Sequence, residues 1–407
     1  MKIIFWACLS ILVYIYAGYP VLLWVMRQLR GVKAVEKKPI FPHVTLIISA
    51  YNEARVIRQK LENALALHYP REKLEIIVVS DASTDETDQV VSQYESQGVI
   101  LLRLQERQGK TVGLNQAVAM AQGEILVFSD ANALYDPDAI GHLVANFADP
   151  NVGYVTGASC YIKKDSSFVG WCEDLYWKYD LQIKKLESQV ESMVGADGTI
   201  YAIRKELYTP LQPQDINDFV NPLQIIRQGF RGVFEPKALC YEQTMHHFEE
   251  EFRRKVRIVA RSLRGLMRER ALLNPGQFGF YALELLSHKL LRWFTPVFLL
   301  GMAITNIPLW TRGTIYTVTG TLQALFYAFA GLGFLLSLFR VKSHFLYFPY
   351  YFCLINLASL CGIWKACRGT VPITWEPERE RREDLAKRQS FLVPLVSVML
   401  ISVGSVV

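Results

Sequence analysis

The chain has 407 residues and a net charge of +6, and 51% of its residues are hydrophobic. With a mean hydropathy of +0.16, this composition excludes an ordinary soluble enzyme. The seven cysteines are odd in number and scattered, which argues against a disulfide framework or a zinc site and fits a reducing compartment. Much of the positive charge is local, which favours a membrane surface or phosphate over nucleic acid.

Residues 1–40 predict a membrane helix followed by a basic linker. Ile3 to Met26 is nearly uncharged and long enough to cross a bilayer, which takes roughly 20 residues. Arginines and lysines follow between Arg27 and Lys38 and place this flank on the cytoplasmic side. A cleaved signal peptide is the alternative, but the apolar run is too long and no small-residue cleavage site follows.

Residues 41–245 predict an α/β domain with a mostly parallel, Rossmann-like sheet. Val44 to Ser49 is a continuous apolar run, as expected of a parallel strand covered on both faces. Similar runs at 75–79, 99–104 and 125–128 alternate with helical patterns. This alternation predicts a doubly wound sheet with ligands at the carboxyl ends of its strands. No G-x-G-x-x-G follows the first strand, which disfavours a dinucleotide cofactor.

Residues 246–293 predict amphipathic helices at the membrane interface. From Glu249 to Arg270, apolar and basic side chains fall on opposite helix faces, a pattern typical of a helix on a membrane surface. The basic face comprises Arg254, Arg257, Arg261, Arg264 and Arg268. The stretch from Phe280 to Trp293 carries several charged side chains and is also predicted to be interfacial.

Residues 294–367 and 391–407 predict further membrane segments, with a cytoplasmic loop at 368–390 between them. The apolar runs cover 294–310, 315–338, 345–367 and 391–407. If all of them cross, the loop lies outside, yet its arginines and lysines favour the inside. One segment is therefore predicted to be re-entrant or interfacial, and 345–367, which is basic at both ends, is the first candidate.

Four motifs place polar and acidic residues where predicted strands end or helices begin. They are SAYNEARVI (49–57), VVSDASTDET (78–87), GKTVGLN (109–115) and FSDAN (128–132). Taken alone, Asn52 and Ser83 could simply cap helices, and Asp130-x-Asn132 could form a turn. An acidic residue after a buried strand, with a second oxygen two positions on, also points both oxygens into one cleft. Such oxygens suit Mg²⁺ or Mn²⁺ bridging a diphosphate.

The order and spacing of these motifs resemble the nucleotide-binding half of family 2 inverting glycosyltransferases, which have a GT-A fold. The resemblance runs from Val44 to about Arg268 and continues more weakly to Arg379. It is strongest to membrane-integral polysaccharide synthases such as those of cellulose, hyaluronan and poly-N-acetylglucosamine. It implies donor-binding roles for Tyr51, Glu53, Asp81, Lys110 and Asp130. Asn132 stands where the family has the last Asp of its D-x-D metal motif.

The later segments resemble the acceptor and catalytic parts of the same family. GADGTIYAIRKEL (195–207) looks like the acceptor-side strand, which implies acceptor roles for Gly195 and Asp197. Asn217-Asp218 stands where the family has Glu-Asp, so the resemblance implies that Asp218 is the general base. A positioned base accelerates attack by a hydroxyl roughly 100- to 10,000-fold. A helix cap is the structural alternative for Asp218, and Asp215 is a rival base.

Two further positions follow from the resemblance. The family's Q-x-x-R-W motif aligns with the segment from Arg254 to Ile258, which implies that Arg257, with Arg254, meets the donor phosphates. Gln and Trp of the motif are both replaced. VPITWEPERER (371–381) resembles a segment that gates the active site, with Trp375 as its aromatic residue. An interfacial anchor explains Trp375 equally well.

These observations predict a multi-pass hexosyltransferase of the inner or plasma membrane with a cytoplasmic catalytic domain. It would transfer sugar from a UDP-sugar to a growing polysaccharide, processively and with β-linkages. One alternative is the transfer of a single sugar to a polyprenyl phosphate or other lipid. Another is a catalytically inactive, nucleotide-binding scaffold of a secretion complex. The expected partners are the donor, a saccharide acceptor, the bilayer, and either secretion-complex subunits or a second copy of the chain.

Overall fold

The computed structural model describes residues 1–162, 168–243, 248–339, 344–371 and 373. The strands are β1 (Val44–Ala50), β2 (Leu74–Ser80), β3 (Val99–Arg103), β4 (Ile125–Asp130), β5 (Leu134–Tyr135), β6 (Val152–Ile162), β7 (Tyr201–Arg204) and β8 (Arg231–Gln243). The helices are α1 (Lys2–Val13), α2 (Tyr19–Arg30), α3 (Ala54–Leu65), α4 (Thr87–Ser92), α5 (Lys110–Met120), α6 (Ala139–Val144), α7 (Phe168–Val190), α8 (Asn217–Arg227), α9 (Phe248–Arg268), α10 (Pro275–Leu285), α11 (Thr295–Asn306), α12 (Thr314–Leu338) and α13 (His344–Arg368).

The strands form one mixed sheet in the order β3-β2-β1-β4-β7-β6-β8-β5. The first four in that order are parallel and correspond to the four predicted apolar runs. Leu46, Ile47 and Ile48 are all inaccessible to solvent, because β1 is covered by helices on both faces. β7 then joins β4 in the antiparallel direction. Ser49 of β1 pairs with Asp130 of β4, so the motifs that follow these two strands meet at one edge of the sheet.

Helix α9 belongs to the α/β domain, which corrects its interpretation as a helix lying on a membrane surface. Val259, Leu263 and Leu266 are buried in the core that also contains α5 and α8. Gly265 lies so close to α8 that an added Cβ would be 2.6 Å from Val220. The amphipathic pattern is therefore satisfied by the domain core, because a helix buries its apolar face against whichever apolar surface is available.

The apolar helices include three that are long enough to cross a membrane by length and composition. They are Lys2–Arg30, which is continuous through a short π-helical stretch, Thr314–Leu338 and Phe345–Arg368. The predicted segment 294–310 is instead a short helix, bent by 63° from the helix that precedes it. The C-terminal half of the N-terminal helix packs on the domain, since Tyr19 and Leu23 are buried against α7.

Helix α13 runs beside α9 from end to end. At its start, the Tyr350 ring lies 4.8 Å from that of Phe248, and at its end the Arg264 guanidinium donates to the Gly369 carbonyl at 3.0 Å. Between these points, a Cβ added to Gly362 would be 2.8 Å from the Cβ of Val259. Both ends of α13 therefore lie against a helix of the α/β domain.

Candidate active site

The first two motifs interlock across the ends of β1 and β2. The Asn52 backbone amide donates to Ser83 Oγ at 3.2 Å, and the Thr84 amide donates to Asn52 Oδ1 at 2.8 Å. The Glu53 amide donates to Thr87 Oγ1 at 2.8 Å. Asn52 has a positive φ of 52°, a conformation that asparagine tolerates better than most residues. The polar side chains of these loops thus hold each other in place, and neither Asn52 nor Ser83 simply caps its own helix.

Asp81 supports the loop that begins α5. Its Oδ1 accepts from the backbone amides of Gln108 at 2.8 Å and Gly109 at 3.0 Å, and only 7% of its surface is exposed. The Tyr51 ring lies under the Arg107 guanidinium of the same loop, at 3.9 Å. The structure therefore brings Tyr51, Asp81 and the GKTVGLN motif together at the predicted donor end of the sheet.

Lys110 and Asp130 form an ion pair at the edge of this cleft. Lys110 Nζ lies 2.5 Å from Asp130 Oδ1, and both side chains are partly exposed. Asn132 is also partly exposed, in the turn that follows Asp130. Lys110 contacts only one of the two carboxylate oxygens of Asp130, at 2.5 Å.

Lys60, which no sequence motif indicates, supports the turn that follows Asp130. It is fully buried, donates to the Ala133 carbonyl, and lies 4.0 Å from the Tyr135 ring centre. Burial lowers the pKa of Lys60 to about 7, although Cys240, Asp130 and Glu242 oppose this shift. A lone lysine in a helical pattern resembles any surface residue, so the sequence offered no signal for it.

Asp218 lies in the first turn of α8, against the segment that contains Gly195 and Asp197. The Ala196 amide donates to the Asp218 carbonyl at 2.7 Å. A Cβ at Gly198 would be 2.5 Å from Asp218 Oδ2, so only glycine permits this close approach. The N-cap of α8 is Ile216, without a capping side chain, which removes the helix-cap interpretation of Asp218. Among the described residues, no side chain or amide is hydrogen-bonded to its carboxylate.

The surroundings of Asp218 set its ionisation. Burial raises the pKa of Asp218 to about 6, with a further increase from Asp197 and Asp130, while Lys110 and Lys289 lower it. A carboxylate with a pKa near 6 is ionised at neutral pH and accepts a proton more readily than an ordinary aspartate. This is the ionisation behaviour that a general base requires.

Asp215 is held in a structural ion pair, away from the cavity that Asp218 lines. Its Oδ2 accepts from Arg268 Nη2 at 2.6 Å and from the Gln212 amide at 2.8 Å, and 1% of its surface is exposed. Arg261 donates to the Gln214 carbonyl of the same loop at 2.9 Å. This ion pair and the burial of Asp215 disfavour it as an alternative base. Arg261 and Arg268 contact the loop before Asp218 and hold it in position.

Arg254 and Arg257 lie on α9 and are partly buried. Arg254 Nε donates to Glu251 Oε2 at 2.9 Å. The charge of Arg254 also acts on Glu242, a residue at the end of β8 that no sequence motif indicates. Burial raises the pKa of Glu242 to about 8, and Asp130 and Asp197 raise it further, while Arg254 and Lys110 lower it. Glu242 therefore belongs to the same electrostatic environment as Asp130 and Asp197.

The described residues offer a divalent cation part of a binding site. None of their His, Cys, Asp and Glu side chains form a group of three able to hold a metal ion. Asp130 and Asn132 supply oxygens of the kind that Mg²⁺ and Mn²⁺ prefer, and such ions commonly complete their shell with substrate phosphates and water. The charge of Asp197, which acts on the same groups as that of Asp130, favours a bound cation further. The residues present therefore fit a cation shared with a diphosphate.

The end of α13 brings the chain back to the donor cleft. A Cβ at Gly109, whose φ is +90°, would be 2.8 Å from the Ile373 carbonyl oxygen. Ile373 thus lies at the start of α5. The expected role of the segment 371–381 in gating the active site stays a prediction. Trp375, the loop to residue 390 and the predicted segment 391–407 lie outside the described residues.

Comparison with known proteins identifies relatives of the α/β domain. The profile of the glycosyl transferase family 2 matches residues 45–210. The poly-β-1,6-N-acetyl-D-glucosamine synthase of Staphylococcus aureus is 29% identical over 205 residues, which are 49% of this chain and 49% of that protein. The corresponding synthase of Staphylococcus epidermidis is 23% identical over the same length. The chain thus matches about half the length of these curated relatives.

Among solved structures, a mannosyltransferase from Pyrobaculum calidifontis in complex with GDP-Man and Mn²⁺ has a similar fold. The TM-score is 0.65 at 24% identity, and the match covers 89% of this chain and 99% of the mannosyltransferase chain. At this identity the similarity concerns the fold, and it extends to the apolar helices as well as the sheet. Residues 45–210 match the model of glycosyl transferase family 2, within a chain that has a GT-A fold.

Proposed function

We propose that the protein transfers sugar from a UDP-sugar to the hydroxyl group of a growing saccharide, with inversion, at a membrane. The observation that supports this most is the position of Asp218. Its carboxylate accepts no hydrogen bond from the described residues, and the charges of Lys110 and Asp130 affect its pKa. Asp218 also lines a cavity that continues toward the apolar helices. A base between a donor cleft and an acceptor cavity is the arrangement that direct displacement requires.

The reaction forms one bond and breaks one bond at the anomeric carbon of the donor. Asp218 takes the proton of the acceptor hydroxyl as its oxygen attacks. The electron pair of the broken bond leaves with the diphosphate. Lys110, with Arg257 and Arg254, stabilises the negative charge that develops there. Direct displacement on an α-linked donor gives a β-linked product.

Asp130 and Asn132 would hold Mg²⁺ or Mn²⁺. When bound, the cation would neutralise charge on the diphosphate. The mannosyltransferase of similar fold carries Mn²⁺, which supports a divalent ion without choosing between the two metals. Lys110 Nζ donates to Asp130 Oδ1 at 2.5 Å and so helps to orient this carboxylate.

Tyr51, Glu53 and Asp81 would hold the nucleoside. Asp81 already accepts hydrogen bonds from two backbone amides, so it also shapes the loop that would lie above the base. We propose uridine and N-acetylglucosamine, because the curated relatives are poly-β-1,6-N-acetyl-D-glucosamine synthases. Release of free nucleoside diphosphate from UDP-sugars and GDP-sugars, measured in parallel on the purified protein, tests the donor.

We propose that the catalytic domain faces the cytoplasm and that the chain crosses the membrane several times. In this arrangement the N-terminal helix, α11 and α12 cross, and α13 lies at the interface beside α9. The packing of α13 and the contact between Ile373 and Gly109 support it, because both place the chain after α13, as far as Ile373, on the side of the domain. Cysteine labelling at the Phe339 end of α12 and at Arg312, from each side of sealed vesicles, tests this topology.

The product distinguishes the main proposal from its alternatives. Radiolabelled donor incubated with the purified protein should give a ladder of long chains if transfer is processive. A single lipid-linked spot would indicate the transfer of one sugar to a lipid. No turnover of any nucleotide-sugar, with nucleotide binding intact, would indicate an inactive scaffold and would contradict the proposal.

A further inference from the structure

The segment from Ser192 to Asp197 links α7 to the turn before β7 and contains no helix or strand. Its buried amides therefore need partners outside regular secondary structure, because a buried amide without a hydrogen bond is costly. The Ala196 amide donates to the Asp218 carbonyl at 2.7 Å, so this segment contacts the backbone of the proposed base. Whatever fixes the segment therefore also helps to position Asp218.

Side chains from other elements hold the segment 192–197. Glu284 and Thr156 accept from the amides at its two ends, at 3.4 Å and 2.8 Å. In the middle, the Val194 amide donates to Glu187 Oε2 at 3.3 Å, two residues before the amide that reaches Asp218. Glu187 lies near the end of α7 and is inaccessible to solvent. A carboxylate at such a site depends on the groups that donate to it, so these groups set its position.

The other oxygen of the Glu187 carboxylate is bound by the N-terminal helix. Tyr19 Oη donates to Glu187 Oε1 at 2.5 Å, and His288 Nδ1 lies 2.8 Å from the same oxygen. Only 1% of the surface of Tyr19 is exposed. Hydrogen bonds to an ionised carboxylate are stronger than those between neutral groups. The N-terminal helix is thus connected to the segment 192–197 through one carboxylate.

Both partners of Glu187 Oε1 lie in or next to distorted helices. The N-terminal helix is π-helical over Tyr14–Gly18, immediately before Tyr19. The stretch Leu286–Leu291, which carries His288, is π-helical as well. Stretches of π-helix are rare and frequently lie at functional sites. The geometry of these two stretches therefore favours a functional role for the contacts that they make.

We infer that Tyr19 and Glu187 are positioning residues for the proposed base, which makes the N-terminal helix a part of the active site. This rests on the proposed function. Neither side chain takes part in the bond changes, and both act through the segment 192–197. Tyr16 of the same helix lines the cavity that Asp218 also lines, so the helix borders the site directly. Because a misplacement of about 1 Å can lower a rate about 100-fold, the loss of one such contact is measurable.

Tyr19→Phe in the detergent-purified full-length protein tests this inference, because the substitution removes a hydroxyl and keeps the ring. We expect kcat for transfer from UDP-N-acetylglucosamine to fall at least about tenfold. The Kd of UDP should stay within about twofold, because the donor cleft is not contacted. Glu187→Gln should also lower kcat, and adding Tyr19→Phe to it should cause little further loss, since both act through one carboxylate.

Tyr14→Phe is the matched control. The Tyr14 hydroxyl lies 2.8 Å from Ser287 Oγ, so this variant also removes a hydrogen bond of the N-terminal helix, but one that does not lead to the segment 192–197. Its kcat should stay close to that of wild type. Hydrogen exchange of the amides in 192–197 gives a second measurement that needs no turnover. Exchange should be faster in Tyr19→Phe than in wild type and unchanged in Tyr14→Phe, because it reports local opening.

Equal kcat values in Tyr19→Phe and Tyr14→Phe, or exchange in 192–197 that Tyr19→Phe leaves unchanged, would overturn the inference. A weaker affinity for UDP that parallels the loss of kcat would also overturn it, since this result indicates a general disturbance of the domain. Active wild type with an unaffected Tyr19→Phe would leave the proposed function and remove the inference. Wild type without turnover would remove the proposed function, and the exchange comparison would still decide whether Tyr19 holds the segment.

Discussion

At the scale of single residues, the ionisation of Asp218 sets the pH dependence of the proposed transfer. Only the carboxylate form accepts a proton, and the pKa of this group is about 6. We therefore expect kcat/KM to reach a plateau above about pH 6 and to fall about tenfold per pH unit below it. Asp197→Asn removes a like charge and should move the midpoint to lower pH. An acid limb that does not shift in Asp197→Asn would assign it to another group.

Asn132 offers a second test at the same scale. A carboxylate holds a divalent ion more strongly than an amide oxygen, so Asn132→Asp should lower the concentration of Mn²⁺ needed for half-maximal turnover. Wild-type turnover should be lost in EDTA and recover when Mg²⁺ or Mn²⁺ is added. Full turnover in chelator without added cation would show that Asp130 and Asn132 act without a metal.

At the scale of elements, the loop before α8 depends on the pair between Asp215 and Arg268. Asp215→Asn removes the charge of a buried carboxylate that pairs with Arg268 and should lower the free energy of unfolding by about 1–3 kcal/mol. Asp218→Asn is the matched comparison. The pKa of Asp218 is higher in the folded protein than in the unfolded chain, so its contribution to stability falls as the pH rises from about 4 to 6. At pH 7 the ionised carboxylate of Asp218 destabilises the folded protein.

Thermal unfolding in detergent at pH 7 measures both variants. Asp215→Asn should melt below wild type, and Asp218→Asn should melt at or above it. The reverse order would mean that Asp218 is the structural residue and Asp215 the functional one.

The packing of α13 on α9 can be tested by a substitution at the contact between the two helices. Gly362→Ala places a methyl group against Val259 and should displace α13, because overpacking of a tight contact costs about 1–3 kcal/mol. The displacement should also raise KM for the donor, since the end of α13 carries the segment that contacts Gly109. Gly331→Ala, on α12, is the control, because no atom lies within 4 Å of its added Cβ. Equal KM values in the two variants would show that α13 does not influence the donor cleft.

At the scale of the whole molecule, the sequence predicts the parallel half of the sheet and the position of its motifs. Continuous runs such as Leu46 to Ile48 are unambiguous, because only strands covered on both faces look like this. The faces of α9 were also predictable, but the partner of its apolar face was not. An amphipathic pattern is the same whether a bilayer or a domain core covers it.

The parts of the site that the sequence does not reveal depend on tertiary contacts. Lys60 and Lys289 belong to no sequence motif. Only the fold shows that Lys60 is buried and that Lys289 faces a cavity beside Asp218. Asp215 and Asp218 are three residues apart and chemically identical in sequence. Their roles separate because Arg268 reaches one of them and Gly198 leaves space for the other.

The proposed role of Asp218 as the base for sugar transfer is tested most directly by one comparison. Transfer from the nucleotide-sugar and the Kd of the nucleotide are measured in the same preparation of wild type and Asp218→Asn. We predict that kcat falls by roughly 100- to 10,000-fold, as for loss of a general base. The Kd should stay within about twofold, because a contact used only in the transition state does not contribute to donor binding. An Asp218→Asn protein that retains wild-type transfer would contradict the account.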